Sequence, residues 1–236
     1  MEPFERGLTA LREHLLEMGS LAEDMILKSV KAVVARDDGL VEAVLAHEQE
    51  MDPLCIAIDD RCVTLLARHR PEGPDLRFVV AAIKINGELE RIGDLAVNIA
   101  LRARSLLAQP PVKPLTDITR LAVLAQEMVN RSLDAFVRRD PELARAVIDA
   151  DARVDRMHDQ VVRELLAYMT NDPAVIGRAL DLLMSSRHLE RIADRATNIA
   201  EGVIYIARGE DVREPGDKEL KLGLRRATSV GGPDGS

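Results

Sequence analysis

Apolar residues recur at helical spacing along almost the whole chain, in long stretches separated by short clusters of proline, glycine and acidic residues. One stretch shows the pattern clearly: Ile85, Leu89, Ile92, Ala96 and Ile99 share a face when successive residues are turned by about 100°. Six helices are predicted on this basis. The first spans about Phe4 to Arg36, and the second opens at Asp37-Asp38-Gly39 and runs to about Arg68. His69 to Asp75, with Pro71, Gly73 and Pro74, reads as a turn before a third helix from about Leu76 to Ala108. The stretch Gln109-Pro110-Pro111-Val112-Lys113-Pro114 is the least helical part of the body of the chain, so the boundary between a first unit, 1–109, and a second, 110–208, falls there. In the second unit, Asp140-Pro141-Glu142 and Asn171-Asp172-Pro173 each combine a capping residue with a first-turn proline. From about Gly209 the chain turns polar and rich in Gly and Pro, and 209–236 is read as a flexible tail.

The second unit repeats the first. Glu88 to Ala100 (ELERIGDLAVNIA) and His188 to Ala200 (HLERIADRATNIA) agree at nine of thirteen positions at an offset of 100 residues, where chance gives about one. Leu21 to Asp37 aligns with Leu124 to Asp140 at an offset of 103, pairing Met25 with Met128 and Ser29 with Ser132. The two offsets place three additional residues of the first unit around His69 to Asp75. A helical unit repeated twice at this period is no solenoid. With such short loops, each unit is expected to be an up-down-up three-helix bundle, giving an all-α protein of two tandem, pseudo-symmetric bundles.

Composition narrows the function. Hydrophobic residues make up 47% and aromatic ones 2%, with no Trp, which favours helices packed through aliphatic ridges. A net charge of −8 without a basic run speaks against nucleic-acid binding. The longest apolar run, about Phe78 to Ile83, is far below the about 18 residues of a bilayer span, so neither a transmembrane helix nor a signal peptide is expected. Cys55 and Cys62 are seven residues apart on one helix, roughly 10 Å, too far for a disulfide; reduced core thiols in a cytoplasmic protein are the expectation.

The candidate chemistry lies in carboxylates. The second helix of each unit carries an acid, three residues, then Asp: Glu48 and Asp52, matched by Asp151 and Asp155. The third helix repeats the spacing in Glu90 with Asp94 and Glu190 with Asp194. Acids four apart share a helix face and repel by a few tenths of a kcal/mol, which a shared cation would relieve. The face argument places them near the outer surface, unlike a di-iron centre inside a bundle, and solvated acids are the plain alternative. Asn98 and Asn198 extend the same faces, as neutral oxygen ligands or as ordinary polar surface. Arg91 and Arg191 are positioned to pair with the neighbouring acids and hold them oriented. The one Asp-x-x-His, Asp155 to His158, has Cys55 at the repeat-equivalent position, and both are read as flanking the core. All-oxygen sites accept Mg, Mn, Ca, Fe or Zn, so the metal is left open.

Leu89-Glu90-Arg91-Ile92-Gly93-Asp94 with Asn98-Ile99-Ala100, Leu189-Glu190-Arg191-Ile192-Ala193-Asp194 with Asn198-Ile199-Ala200, and the paired upstream acids resemble the PhoU family of phosphate-transport regulators, over roughly residues 4 to 208. The resemblance implies multinuclear metal clusters (Fe, Zn, Mn or Mg) at the bundle surfaces. It further implies a cytoplasmic, homodimeric accessory that damps phosphate uptake and the phosphate-starvation response. The partners it implies are the ATPase of a phosphate ABC transporter and a sensor histidine kinase, with membrane association only through them. Two positions depart from the pattern: Pro53 follows Asp52 where Arg156 follows Asp155, and Glu88 is matched by His188, which makes the second site the safer choice. A metal-dependent hydrolase or oxidase on the same bundle and a metal-free scaffold are the competing readings. Arg225-Arg226-Ala227-Thr228-Ser229 in the tail resembles a basic-directed phosphorylation site.

Overall fold

The computed structural model describes residues 3–112, 116–209 and 212. The tail, with its Arg225 to Ser229 motif, and Lys113-Pro114 of the linker lie outside the described residues. Six helices make up the architecture: α1 (Pro3–Ala35), α2 (Asp38–His69), α3 (Gly73–Leu106), α4 (Thr116–Arg138), α5 (Pro141–Asn171) and α6 (Ile176–Arg208). No strand occurs among the described residues, and no helix there is long and apolar enough to cross a membrane.

Local chemistry sets the ends. The Asp37 carboxylate accepts from Gly39 N at 2.8 Å and opens α2, and Asp140 does the same for α5, accepting from Glu142 N and Leu143 N at 2.9 and 3.1 Å. Gly209, at φ 74°, closes α6 in the left-handed conformation that glycine adopts without strain. The structure corrects two predicted boundaries. Helix α3 begins at Gly73 rather than Leu76, because Pro74 fits a first turn, whose N–H has no partner anyway. Asp172-Pro173 opens a short 3₁₀ turn, Pro173–Val175, and α6 follows from Ile176. The three additional residues of the first half become Arg70 to Glu72, the connector between α2 and α3. Pro53 lies inside α2, which continues through it as helix.

Within each half the three helices pack against one another, and α3 against α6 and α1 against α4 join the halves. The repeat persists in detail: Ser29 and Ser132 are both fully buried and donate to the carbonyls of Ile26 and Val129 at 2.9 and 2.7 Å. Core volume is redistributed between the copies. A Cβ on Gly93 would lie 2.6 Å from Met51 Sδ, whereas the second half has Ala193 and the smaller Val154 at the equivalent positions. A larger residue on one helix is met by a smaller one on its neighbour, which preserves packing density. Between the halves, Phe78 of α3 stacks on Phe136 of α4 at 5.2 Å, and buried side chains from all six helices form one continuous core.

Polar ties reinforce the junction. Arg195 of α6 donates to Glu88 of α3 at 3.1 Å, and Asp181 of α6 accepts from Arg102 at 3.2 Å and Ser105 at 2.7 Å. The mismatch of Glu88 with His188 therefore has a structural reason: Glu88 serves the α3–α6 junction. Cys55 is half-buried and Cys62 buried, both as free thiols, and burial pushes Cys62 up to about 12.

Candidate functional site

The acids lie along two seams, one between α2 and α3 and the other between α5 and α6. In the first, half-buried Glu48 is held above the usual carboxylate range by burial and then by the charges of Asp94 and Asp52, which places acids of both helices on one another's field. Cys55, three residues after Asp52 on α2, is likewise raised by burial and then by Glu90, Asp59 and Asp52. The seam thus brings together Glu48 and Asp52 with Glu90 and Asp94, and the last three are exposed.

Asn86, a residue that the sequence pattern did not single out, straps the two helices. Its amide donates to Cys55 O and Asp59 Oδ1, both at 2.9 Å, and to Cys55 Sγ at 3.4 Å. With Lys84, Glu88 and Glu90 close by in sequence, nothing local marks it as buried, yet a lone buried amide needs partners across the seam. Asn98 donates its amide N–H to the Asp94 carbonyl of its own helix at 2.8 Å. Arg91 approaches Glu88 at 3.9 Å, outside the four acids.

The second seam is differently clothed. Asp151, Asp155, Glu190, Asp194 and Asn198 are all half-buried, and the four acids each engage a neighbour. Arg187 stands 3.7 Å from Glu190, whose side chain keeps only 13% exposure. Its repeat-equivalent in the first half is Gly87, around which a Cβ would meet nothing within 4 Å, so Glu90 is left bare. Arg187 thus gives the second seam a cation where the first has glycine, and Arg156 stands exposed where the first half has Pro53. Arg191 is exposed and its charge bears on His188.

Among the described residues, no three His, Cys, Asp or Glu side chains converge as a ready metal cage. The donor chemistry nonetheless fits a hard or borderline cation: the first seam offers carboxylate oxygens from two helices, and Glu48 is an acid raised by burial and then by like charges that a cation would offset.

His158 and His188 are buried, and the Nδ1 of each meets no hydrogen-bond partner among the described residues. Burial, and then Arg187 for His158 and Arg191 and Arg102 for His188, lowers both below the ordinary imidazole range; Asp159 and Asp155 oppose this at His158. As pH falls through about 6.5 the unfolded chain takes up these protons before the folded one does, so stability is full above that pH and declines below it. Thermal melts between pH 7.5 and 5.5 should show a falling midpoint in the wild type. A fall of the same size in His158→Asn/His188→Asn would show that the two rings do not cause it.

The PhoU domain family profile matches residues 15–103 and again 118–203. The chain belongs to the PhoU family. Each match covers the three helices of one half and contains one seam. A relative from Pseudomonas aeruginosa, "Phosphate-specific transport system accessory protein PhoU homolog", is 39% identical over 221 residues, covering 93% of this chain and 91% of the relative. Among solved structures, PhoU from Pseudomonas aeruginosa superposes with a TM-score of 0.84 at 39% identity, covering 88% of this chain and all of that one. The phosphate transport system regulatory protein PhoU from Streptococcus pneumoniae gives 0.83 at 26% identity, covering 89% and 100%. The PhoU fold is thus shared over the whole helical body.

Proposed function

We propose that this chain is an accessory regulator of phosphate transport that acts as a metal-binding helical adaptor. The observation that carries the role is the match of both halves to PhoU, with relatives that are named as accessory or regulatory proteins of phosphate transport systems. In this reading the protein restrains phosphate uptake and the phosphate-starvation response. It does so by contacting the ATPase of the phosphate transporter and a sensor histidine kinase, from the cytoplasmic face and without entering the membrane, as a homodimer.

The acid seams supply the adaptor's cation sites. Glu48, Asp52, Glu90 and Asp94 hold one cluster and Asp151, Asp155, Glu190 and Asp194 the other, with a bound ion cancelling repulsion between the acids. Holding α2 to α3, and α5 to α6, across these seams stiffens the outer faces that a partner would meet.

Metal content tests the reading. Protein purified without chelator or affinity-tag metal is expected to carry several equivalents of transition metal by elemental mass spectrometry. Changing the four acids of either seam to Asn or Gln is expected to remove half or more. Protein still empty after micromolar Fe, Mn or Zn would sink the metal part. Failure of wild-type protein to capture the transporter ATPase and the kinase in pull-downs would sink the adaptor part.

A further inference from the structure

At one end of the molecule the first turns of α1, the start of α3 and the turn between α4 and α5 enclose an open cleft of about 600 Å³. That size lies within the range of small-molecule sites. Phe4 and Leu8 form an apolar wall, and Glu5, Thr9, Arg12, Asp75 and Arg139 line the polar side.

Two guanidiniums are held there against one buried ring. Arg12 Cζ lies 4.8 Å from the Phe78 centroid and Arg139 Cζ 5.3 Å from it, while Phe78 is itself fully buried and fixed by its stack on Phe136. Both arginines are half-buried. Among the described residues neither side chain has a carboxylate within 4.0 Å or a hydrogen-bond acceptor, so their forks of N–H donors are left unengaged. Burial lowers Arg12, the Arg139 charge lowers it further, and Asp75 offsets this only as the smallest effect. Two like charges are therefore held together with Glu5 and Asp75 in the same lining but with no carboxylate in ion-pair contact with either.

The repeat does not demand this arrangement. At the repeat-equivalent positions Phe78 becomes Arg178, which is engaged with the Pro110 and Ala174 carbonyls, and Arg12 becomes Leu115. Phe4 to Arg12 precede the part of α1 that the family profile matches.

We propose that this cleft binds a phosphoryl group, either as free phosphate or on a small molecule whose apolar part rests on Phe4 and Leu8. A phosphoryl group carries about −1.5 to −2 charge at neutral pH, matching two guanidiniums where a single carboxylate matches one. Planar forks in pairs donate bidentately to its oxygens.

The test is calorimetric titration of the full chain in chelator and low salt, which silences the acid seams, with inorganic phosphate, ADP and citrate in turn. Saturable binding of phosphate or of ADP is expected, and which of them binds identifies the source. Arg12→Gln/Arg139→Gln is expected to weaken it by at least about tenfold, since charge-assisted bonds to both forks are lost. Its helical circular dichroism should be retained, because removing the pair also removes their repulsion. The Arg12→Lys/Arg139→Lys variant, which keeps the charge and loses the fork, should fall between the two and serves if the glutamine variant does not fold. No saturable heat from phosphate or ADP at millimolar concentration, equal binding of citrate, or unchanged binding in the variants would overturn the proposal.

Discussion

Phe136→Ala is expected to lower stability by about 3–5 kcal/mol, the range for removing a buried aromatic ring. Phe136 is 1% exposed and stacks on Phe78 across the junction of the halves, so the lost ring leaves a void that two different bundles would have to collapse into. With one core running through all six helices, the denaturant midpoint of the whole helical signal should move, without a separate early phase for the second half. A loss below about 1 kcal/mol, within the range of ordinary surface changes, would mean that the ring is not a core element.

Gly93→Ala should cost about 1–3 kcal/mol by overpacking, because the new methyl must displace the buried Met51 Sδ, and Met25 Cε lies 3.6 Å from the same point. The second half shows the remedy. Adding Met51→Val reproduces the Val154 and Ala193 pair found there, and the double variant should recover most of the loss. Urea melts of the two single variants and the double one close a mutant cycle, in which a coupling of about 1 kcal/mol or more is expected for residues in contact. Additive losses would show that Met51 and Gly93 do not share a packing site.

Helix positions were legible because proline, aspartate and glycine punctuate the chain at positions where their backbone chemistry leaves few options, as Asp140-Pro141 and Gly209 show. The copying of one half onto the other was equally plain, and Ser29 and Ser132 make the same bond in both. Hidden from the sequence was everything that depends on how one helix is rotated against the next. Spacing shows that Glu90 and Asp94 share a face, but not that Arg187 covers Glu190 while Gly87 leaves Glu90 bare. Asn86 is one polar letter among several, with Lys84, Glu88 and Glu90 nearby, until α2 is placed opposite it. Arg12, Phe78 and Arg139 come from three distant segments, and no local pattern announces their meeting.

The shared core also limits what kind of signalling this chain can perform. Jointed proteins move about modest, polar contacts between separate cores. Here α3 and α6 are locked side by side by apolar packing, the Glu88–Arg195 pair and the anchoring of Asp181 by Arg102 and Ser105. The body behaves as a beam, not a pair of jaws. Any message it relays is therefore written on its skin and its ends, in the rigidity of the outer hairpins and in what occupies them, while the spine supplies a fixed spacing against which a partner can measure both.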